Sequence, residues 1–343
     1  MNVLRSCVLL LLLYLPLGEA MAQQAPGVGF RVITLVDPVS KGAMDAVVFY
    51  PSVQATTSPT PIGPFEIDAG AGAVPMPGRH PLVLISHGSG GNRWGHHDLA
   101  EQLARNGYIV AAIEHPGDNY HDQSGVGTDR VLLGRAPQLS ALIDALLRDR
   151  QWSALIDPRK IGVAGFSAGG YSALLLAGGR PNFALLASYC HRHPSDAMFC
   201  HHAAPMISSL DRWGATADAR VKAIFIMAPL SMIFDAHGLA PVTLPVLIYL
   251  ASSDHILFPS ENGFHIRPYL SHLVALKTIP RADHYLFMAP CSPALLATAR
   301  EICTDPPGVD RVAWHVRIDA DAVAFFNQVL GWGEPAEARP ASL

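Results

Sequence analysis

Charged residues are scarce in this sequence, and no stretch of it is strongly basic. Only 15% of the 343 residues are charged, with 24 Lys and Arg against 28 Asp and Glu. Binding along a phosphate backbone needs a concentration of Lys and Arg, so the sequence predicts no nucleic-acid partner. Half of the residues are hydrophobic, which is typical of a globular protein with a large core rather than of a disordered chain.

Beyond its N-terminus the sequence also lacks an apolar run that could cross a membrane. The run from Cys7 to Leu17 follows Arg5 and is shorter than the roughly 20 residues of a spanning helix. The small residues around Ala22 fit a signal-peptidase site. We therefore expect residues 1–22 to be a signal peptide and 23–343 to be a periplasmic or secreted protein without stable membrane insertion, with a membrane anchor as the alternative.

Cysteines are few, and four of them follow the predicted signal peptide. An even number in an exported chain favours disulfides. Each neighbouring pair brackets a short segment that contains proline, so we expect Cys190 to pair with Cys200 and Cys291 with Cys303. Histidines near the first pair match no zinc spacing, and we expect neither a metal nor an organic cofactor.

Short apolar runs alternate with helical patterns along most of the chain. A hairpin is predicted at 28–35 and 45–50, and a surface loop at 51–79. Further strands are predicted at 81–86, 109–113, 161–165, 221–227, 245–251 and 274–279, and helices at 94–105, 137–148 and 169–177. This alternation predicts an α/β fold in one domain, with a mainly parallel central sheet and helices on both faces. Residues 179–219 break the alternation and are expected to form a small cap-like insertion.

A serine motif lies between a predicted strand and a predicted helix. Residues 165–169 read Gly-Phe-Ser-Ala-Gly, directly after the strand at 161–165. On such a tight turn the serine hydroxyl projects into a cleft, and flanking glycines avoid a collision with neighbouring backbone. The pattern predicts Ser167 as a nucleophile, with a glycine-rich packing turn as the alternative.

An earlier glycine-rich loop can supply hydrogen-bond donors for an oxyanion. Residues 87–91 read His-Gly-Ser-Gly-Gly and follow the strand at 81–86. In this type of fold one donor is the amide after the nucleophile, here Ala168, and the second comes from such a loop, here Ser89. A phosphate-binding loop is the alternative, but its lysine and hydroxyl positions are missing.

The acid and the base are expected to follow the nucleophile in chain order, each after a strand. Asp254 follows the strand at 245–251, and His284 follows the strand at 274–279. We predict His284 as general base and Asp254 as the group that orients it, with Asp235 as the weaker acid candidate.

With these features the chain resembles the α/β-hydrolase superfamily, and within it the predicted dienelactone hydrolase and platelet-activating-factor acetylhydrolase-like group. The resemblance is carried by Val-Val-Phe-Tyr-Pro at 47–51, His-Gly-Ser-Gly-Gly-Asn at 87–92, Glu-His-Pro-Gly-Asp-Asn at 114–119, the serine turn, Asp254 and Ala-Asp-His-Tyr-Leu-Phe at 282–287. It implies an α/β-hydrolase fold over most of the chain and hydrolysis of small-molecule or lipid esters.

Two positions depart from the group. Ser167 stands where true dienelactone hydrolases have cysteine, and Phe166 stands where many members have histidine. We therefore expect a serine esterase that forms an acyl-enzyme. A serine peptidase of the same fold, or a non-catalytic secreted binding protein on this scaffold, are the alternatives. Trp94, Tyr171 and Tyr285 flank the motifs and are expected to line the substrate pocket, with core packing as the alternative.

Overall fold

The computed structural model describes residues 26–200, 213 and 216–333. The predicted signal peptide at 1–22 lies outside the described residues, as does part of the predicted insertion at 179–219. None of the helices in the described ranges combines the length and the apolar character that a bilayer span requires.

The described chain alternates strands with helices. The strands are β1 (Gly27–Val36), β2 (Ala43–Ser52), β3 (Thr60–Ile62), β4 (Phe65–Ile67), β5 (Gly70–Ala71), β6 (His80–Ser86), β7 (Ile109–Ile113), β8 (Ile156–Phe166), β9 (Val221–Met227), β10 (Val246–Ala251) and β11 (Leu273–Ile279). The helices are α1 (His97–Arg105), α2 (Asp129–Leu132), α3 (Arg135–Arg148), α4 (Arg150–Leu155), α5 (Ala168–Leu176), α6 (Ala184–Arg192), α7 (Ala197–Cys200), α8 (Ala236–Leu239), α9 (Gly263–Ile266), α10 (Pro293–Thr298), α11 (Arg300–Cys303) and α12 (Arg311–Leu330). Short 3-10 helices span Arg267–Tyr269 and His284–Phe287.

Within the described residues, nine strands form one sheet in the order β11-β10-β9-β8-β6-β7-β2-β1-β5. Neighbouring strands from β11 to β7 are parallel. Strands β1 and β2 form the predicted hairpin, and β2 pairs antiparallel with β7. Strands β6, β7 and β10 are buried along their whole length, because helices cover both faces of the sheet. The predicted mainly parallel α/β architecture is confirmed.

The two faces of the sheet pack against different helices. Along β6, Leu82 and Leu84 belong to the core beneath α3 and α5, whereas Val83 and Ile85 belong to the core beneath α1 and α12. This alternation follows from the two-residue period of a strand. The loops at the carboxyl ends of the parallel strands lie at the edge between these layers, where ligands bind in open α/β sheets.

Two parts of the chain are more regular than the sequence analysis predicts. Residues 51–79 contain β3, β4 and β5, of which β3 pairs with β4 and β5 extends the main sheet beside β1. Helix α12 was not predicted. Asp310 caps its start by accepting a hydrogen bond from the amide of Ala313. Val312 and Val316 lie exposed on its outer face, so apolar residues are not confined to one side of the helix and the helical pattern in the sequence is weak.

Both predicted cysteine pairs lie at disulfide distance. The sulfur atoms are 2.06 Å apart in Cys190 and Cys200 and 2.02 Å apart in Cys291 and Cys303. The first pair joins α6 to the end of α7 within the predicted insertion. The assignment of 179–219 as a cap on a single domain stays a prediction.

Candidate active site

Ser167 lies on the tight turn between β8 and α5. Its backbone has φ 56° and ψ −117°, a strained conformation for a residue other than glycine, and its amide donates a hydrogen bond to the carbonyl of Met227 at 2.9 Å. A Cβ atom at Gly165 would lie 2.2 Å from the carbonyl oxygen of Gly169, and one at Gly169 would lie 1.8 Å from that of Ser86. The turn therefore requires both glycines of the motif.

His284 joins Ser167 to Asp254 in a chain of hydrogen bonds. Its Nε2 lies 3.1 Å from Ser167 Oγ, and its Nδ1 lies 2.7 Å from Asp254 Oδ2. The other oxygen of Asp254 accepts hydrogen bonds from the amides of Ile256 and Leu257 at 2.9 and 2.7 Å, which fix the carboxylate beyond β10. Because both His284 and Asp254 are buried, this geometry suits proton transfer from a serine hydroxyl to an oriented imidazole.

Asp235, the weaker acid candidate, lies in a different environment. Its side chain caps α8 by accepting a hydrogen bond from the amide of Gly238 at 2.7 Å, and it accepts another from Asn182 at 2.8 Å. Asp235 thus serves as the N-cap residue of α8, and it makes no contact with His284.

Two histidines that the sequence analysis did not single out hold the segment after His284. His315 on α12 bonds through Nε2 to the carbonyl of Leu286 at 2.6 Å, and His96 bonds through Nδ1 to the carbonyl of Phe287 at 3.0 Å. The contacts span 29 and 191 positions of sequence, so no local pattern indicates them.

A buried group of ionisable residues surrounds His315. Burial alone would lower the pKa of His315, but the neighbouring Asp98 carboxylate raises it to about 9. Burial raises the pKa of Asp319 to about 8, and the Asp98 charge adds to this shift. The pKa of His96 is lowered to about 4, mainly by burial.

The same group contains the residues of the described chain that could bind a metal. Asp98, His315 and Asp319 each offer one ligand atom, and these atoms lie within 4.8 Å of one another. Nδ1 of His315 bonds to Asp98, and Nε2 bonds to Leu286. Both ring nitrogens of His315 therefore have hydrogen-bond partners within the protein.

The glycine-rich loop after β6 is fixed beside Ser167. Asp118 accepts hydrogen bonds from Ser89 Oγ at 2.6 Å and from the amide of Gly90 at 3.0 Å. Ser89, Ser167 and Ala168, the residues expected to supply the nucleophile and the oxyanion donors, line one cavity. Asp118 belongs to the 114–119 motif but was not predicted as a site residue.

His87, the first residue of that loop, has a structural role. Its Nε2 accepts a hydrogen bond from the amide of His115 at 3.1 Å, and its Nδ1 bonds to the carbonyl of Gly88 at 2.6 Å. Burial, together with the charge of Arg135, lowers the pKa of His87 to about 3. The neutral ring therefore acts as a fixed hydrogen-bonding group in the loop.

The cavity beside Ser167 has a volume of about 500 Å³ and mostly apolar walls. The predicted insertion contributes Phe183, Leu186, Met198 and Phe199. The remaining lining residues are Ser89, Asp118, Val126, Gly127, Thr128, Val131, Leu132, Ser167, Ala168, Leu230, Met232, Ile233, Ile256 and Leu257.

The three aromatic residues expected to line the pocket do not line this cavity. Trp94 packs edge-on against Phe30, with ring centroids 5.5 Å apart, in the core beneath α1 and α12. Tyr171 belongs to the opposite core, and Tyr285 packs at the edge of the first one. Proximity to a motif in sequence did not give the direction of these side chains.

Comparisons with known proteins agree with this fold. The family model described as platelet-activating factor acetylhydrolase, isoform II, matches residues 59–130, which include the glycine-rich loop and Asp118. A comparison with curated protein sequences finds no match.

Two solved structures are similar over most of the chain. A ferulic acid esterase from Streptomyces cinnamoneus has a TM-score of 0.60 and 21% identity, with 94% of this chain and 96% of that chain covered. A dienelactone hydrolase-like promiscuous phosphotriesterase from metagenomic libraries has a TM-score of 0.54 and 16% identity, with 88% and 99% covered. At these identities the likeness shows the fold. The likeness to these structures and the family match at 59–130 confirm the resemblance to the α/β-hydrolase superfamily, and the chain has the α/β-hydrolase fold.

Proposed function

We propose that this protein hydrolyses carboxylic esters, with Ser167 as nucleophile, His284 as general base and Asp254 as the residue that orients the base. The observation that carries the proposal is the hydrogen-bonded chain from Asp254 through His284 to Ser167. It ends at a cavity that Ser167 lines together with both expected oxyanion donors. The α/β-hydrolase fold, and the likeness to a ferulic acid esterase and to a dienelactone hydrolase-like phosphotriesterase, support a hydrolase.

In the proposed reaction Ser167 Oγ attacks the ester carbonyl while His284 Nε2 takes its proton. The amides of Ser89 and Ala168 stabilise the tetrahedral oxyanion, and the loss of one such donor in comparable sites costs about 3 kcal/mol. The imidazolium then protonates the leaving alcohol, which leaves an acyl-enzyme on Ser167. Water, deprotonated by His284, attacks the acyl group and releases the acid.

The walls of the cavity favour an ester with an apolar group. Side chains such as Val131, Leu186 and Leu230 offer no hydrogen-bonding atoms, so substrate selection rests on the burial of apolar surface. The predicted signal peptide and the two cysteine pairs support export to an oxidising compartment. We propose a small-molecule or lipid ester as substrate.

The test is a panel of p-nitrophenyl esters of graded acyl length beside an aminopeptidase substrate, measured for the parent and for Ser167→Ala. We expect hydrolysis of the esters alone, loss of at least about a thousandfold in kcat for Ser167→Ala, and no change for Ser153→Ala on α4. A fluorophosphonate should label Ser167. Hydrolysis of the amide alone would favour a peptidase, and no hydrolysis by the parent would favour a binding protein.

A further inference from the structure

Asp118 and Arg135 form a buried ion pair next to the oxyanion loop. Only 1% of each side chain is exposed, and Arg135 Nη1 lies 2.5 Å from Asp118 Oδ2. Removing two charges from water is costly, and one such pair adds little to stability in comparison with apolar residues of similar size. A role in fixing the geometry of nearby groups would account for its presence.

Asp118 is hydrogen-bonded to the glycine-rich loop, which forms one side of the proposed oxyanion site. Its Oδ1 accepts hydrogen bonds from Ser89 Oγ and from the amide of Gly90. These two contacts act with the bonds that the carbonyl oxygen of Gly88 makes to His87 Nδ1 and to the amide of Gly91. Together they orient the peptide groups of a loop that contains three glycines within residues 88–91.

Arg135 is bonded to both sides of that site. Its Nη2 donates to the carbonyl oxygen of His87, which precedes the loop, and its Nε donates to Ser172 Oγ at 3.0 Å. Ser172 in turn donates to the carbonyl oxygen of Ala168 at 2.8 Å. One guanidinium therefore connects the segment that contains Ser89 to the first turn of α5.

We propose that Asp118 and Arg135 are positioning residues, which hold the amides of Ser89 and Ala168 at the spacing that a tetrahedral oxyanion requires. The inference rests on the proposed function. The pairing also has an electrostatic consequence. A carboxylate that lines the same cavity as Ser167 would oppose the formation of an oxyanion there, and the guanidinium offsets that charge. Donors that are fixed before the reaction lose no free energy to reorganisation during it.

The test compares Asp118→Ala and Ser89→Ala with Asp218→Ala. Asp218 forms an ion pair with Arg220 directly before β9 and has a side chain that is 8% exposed. Its amide donates to the carbonyl oxygen of Leu176 at the far end of α5, a backbone bond that alanine keeps, and its carboxylate is bonded to Arg220. Rates are expressed per active site, counted with a fluorophosphonate, so that misfolded protein does not enter them. A trifluoromethyl ketone, which forms a tetrahedral adduct with serine, reports on oxyanion binding.

We expect Asp118→Ala to lower kcat/KM by about 10- to 100-fold and to weaken the trifluoromethyl ketone by a similar factor. Ser89→Ala, which removes one hydroxyl and should fold normally, is expected to lower kcat/KM by about threefold to tenfold. Asp118→Asn keeps an oxygen that can accept from Ser89 and Gly90, so it should recover part of the loss. The Asp218→Ala control should lose thermal stability and keep both constants.

Values for Asp118→Ala and Ser89→Ala that match those of the Asp218→Ala control would overturn the inference. If Asp118→Ala does not fold, the Ser89→Ala comparison decides, because no buried charge is left unpaired in that variant. Failure of the proposed function has a different signature, since either the parent would not hydrolyse the esters or the Ser167→Ala variant would keep the activity of the parent.

Discussion

The ring of Phe166 packs against the imidazole of His284, with ring centroids 4.8 Å apart and ring planes inclined at 41°. The same ring lies next to the glycine loop, where a Cβ atom at Gly88 would be only 3.0 Å from it. Phe166 thus fills the space between the proposed base and the oxyanion loop. Many members of the group that this sequence resembles have histidine at this position.

Replacement of Phe166 by leucine should loosen the base without removing any hydrogen bond. The smaller side chain leaves the face of His284 uncovered, so we expect kcat to fall several-fold and the free energy of unfolding to fall by about 1 kcal/mol. Phe326→Leu, in the same core but in contact with Tyr108, is the matched control. It should lose similar stability and keep kcat, as steady-state kinetics and thermal melts would check. Equal kcat in the two variants would contradict the role given to Phe166.

Asp254→Asn should reduce turnover far more than Asp235→Asn. An amide at 254 cannot accept a hydrogen bond from His284 through its nitrogen, which favours the wrong tautomer of the ring; comparable changes lower kcat by up to about 10⁴-fold. Asp235→Asn changes a helix cap and should cost at most about 1 kcal/mol of stability with kcat retained. Steady-state kinetics with the best ester of the panel checks the ranking. The reverse ranking would remove Asp254 from the proposed mechanism.

The residues that could be predicted from the sequence share one property, which is a place in a fixed chain order. Ser167, Asp254 and His284 each follow a strand, so the topology of a parallel sheet brings them to one edge. The strands could be predicted for a different reason. Helices cover both faces of the sheet, so its central strands are continuous apolar runs in the sequence.

The residues that were missed depend on contacts between distant elements. Arg135 begins a helix, and nothing near it in sequence indicates that its guanidinium reaches the carbonyl of His87. His315 is one of sixteen histidines, and nothing in the sequence distinguishes it from the others. Its contacts arise only because α12 packs beside α1 in the folded protein. Trp94 illustrates the converse error, because a residue next to a motif can face the core.

The buried group of Asp98, His315 and Asp319 should make the protein less stable at alkaline pH. The pKa of Asp319 is raised to about 8 and that of His315 to about 9. In the folded protein Asp319 therefore keeps its proton up to about pH 8 and His315 up to about pH 9, whereas in the unfolded chain they lose it near pH 4 and pH 6.5. By linkage these two groups make stability fall as pH rises, and the fall is clearest from about pH 6.5 to pH 9, above the range in which the lowered pKa values of His87 and His96 act in the opposite direction.

Asp319→Asn tests this pH dependence. The variant cannot release a proton at position 319, so its melting temperature should fall less steeply between pH 6 and pH 9, and it should exceed that of the parent by several degrees at the upper end. Asp321→Asn lies on the same helix, but Asp321 is paired with Lys277 and its pKa is lowered. That control should keep the steep dependence of the parent. Parallel curves for the parent and Asp319→Asn would contradict the raised pKa.

The two cysteine pairs should have separable effects. Cys190 and Cys200 close the segment that contributes Met198 and Phe199 to the cavity, whereas Cys291 and Cys303 lie outside the cavity lining. In the chain-entropy model, closing a loop of about 10 to 15 residues destabilises the unfolded state by about 3 kcal/mol. Replacing either pair by serine should therefore lower the melting temperature by several degrees.

Only the first replacement should change the choice of substrate. Without the Cys190–Cys200 link, Met198 and Phe199 are free to move from the cavity wall, so the preference among p-nitrophenyl esters of graded length should broaden. The Cys291–Cys303 double variant is the matched control. The segment it releases begins seven residues after His284, so it should lower kcat for all esters in the same proportion and leave the order of preference unchanged. Peptide mapping of the exported protein without reductant checks the pairing itself. Four free thiols, a link from Cys190 to Cys303, or the same length preference in both double variants would each contradict this account, because each would separate the wall of the cavity from the first cysteine pair.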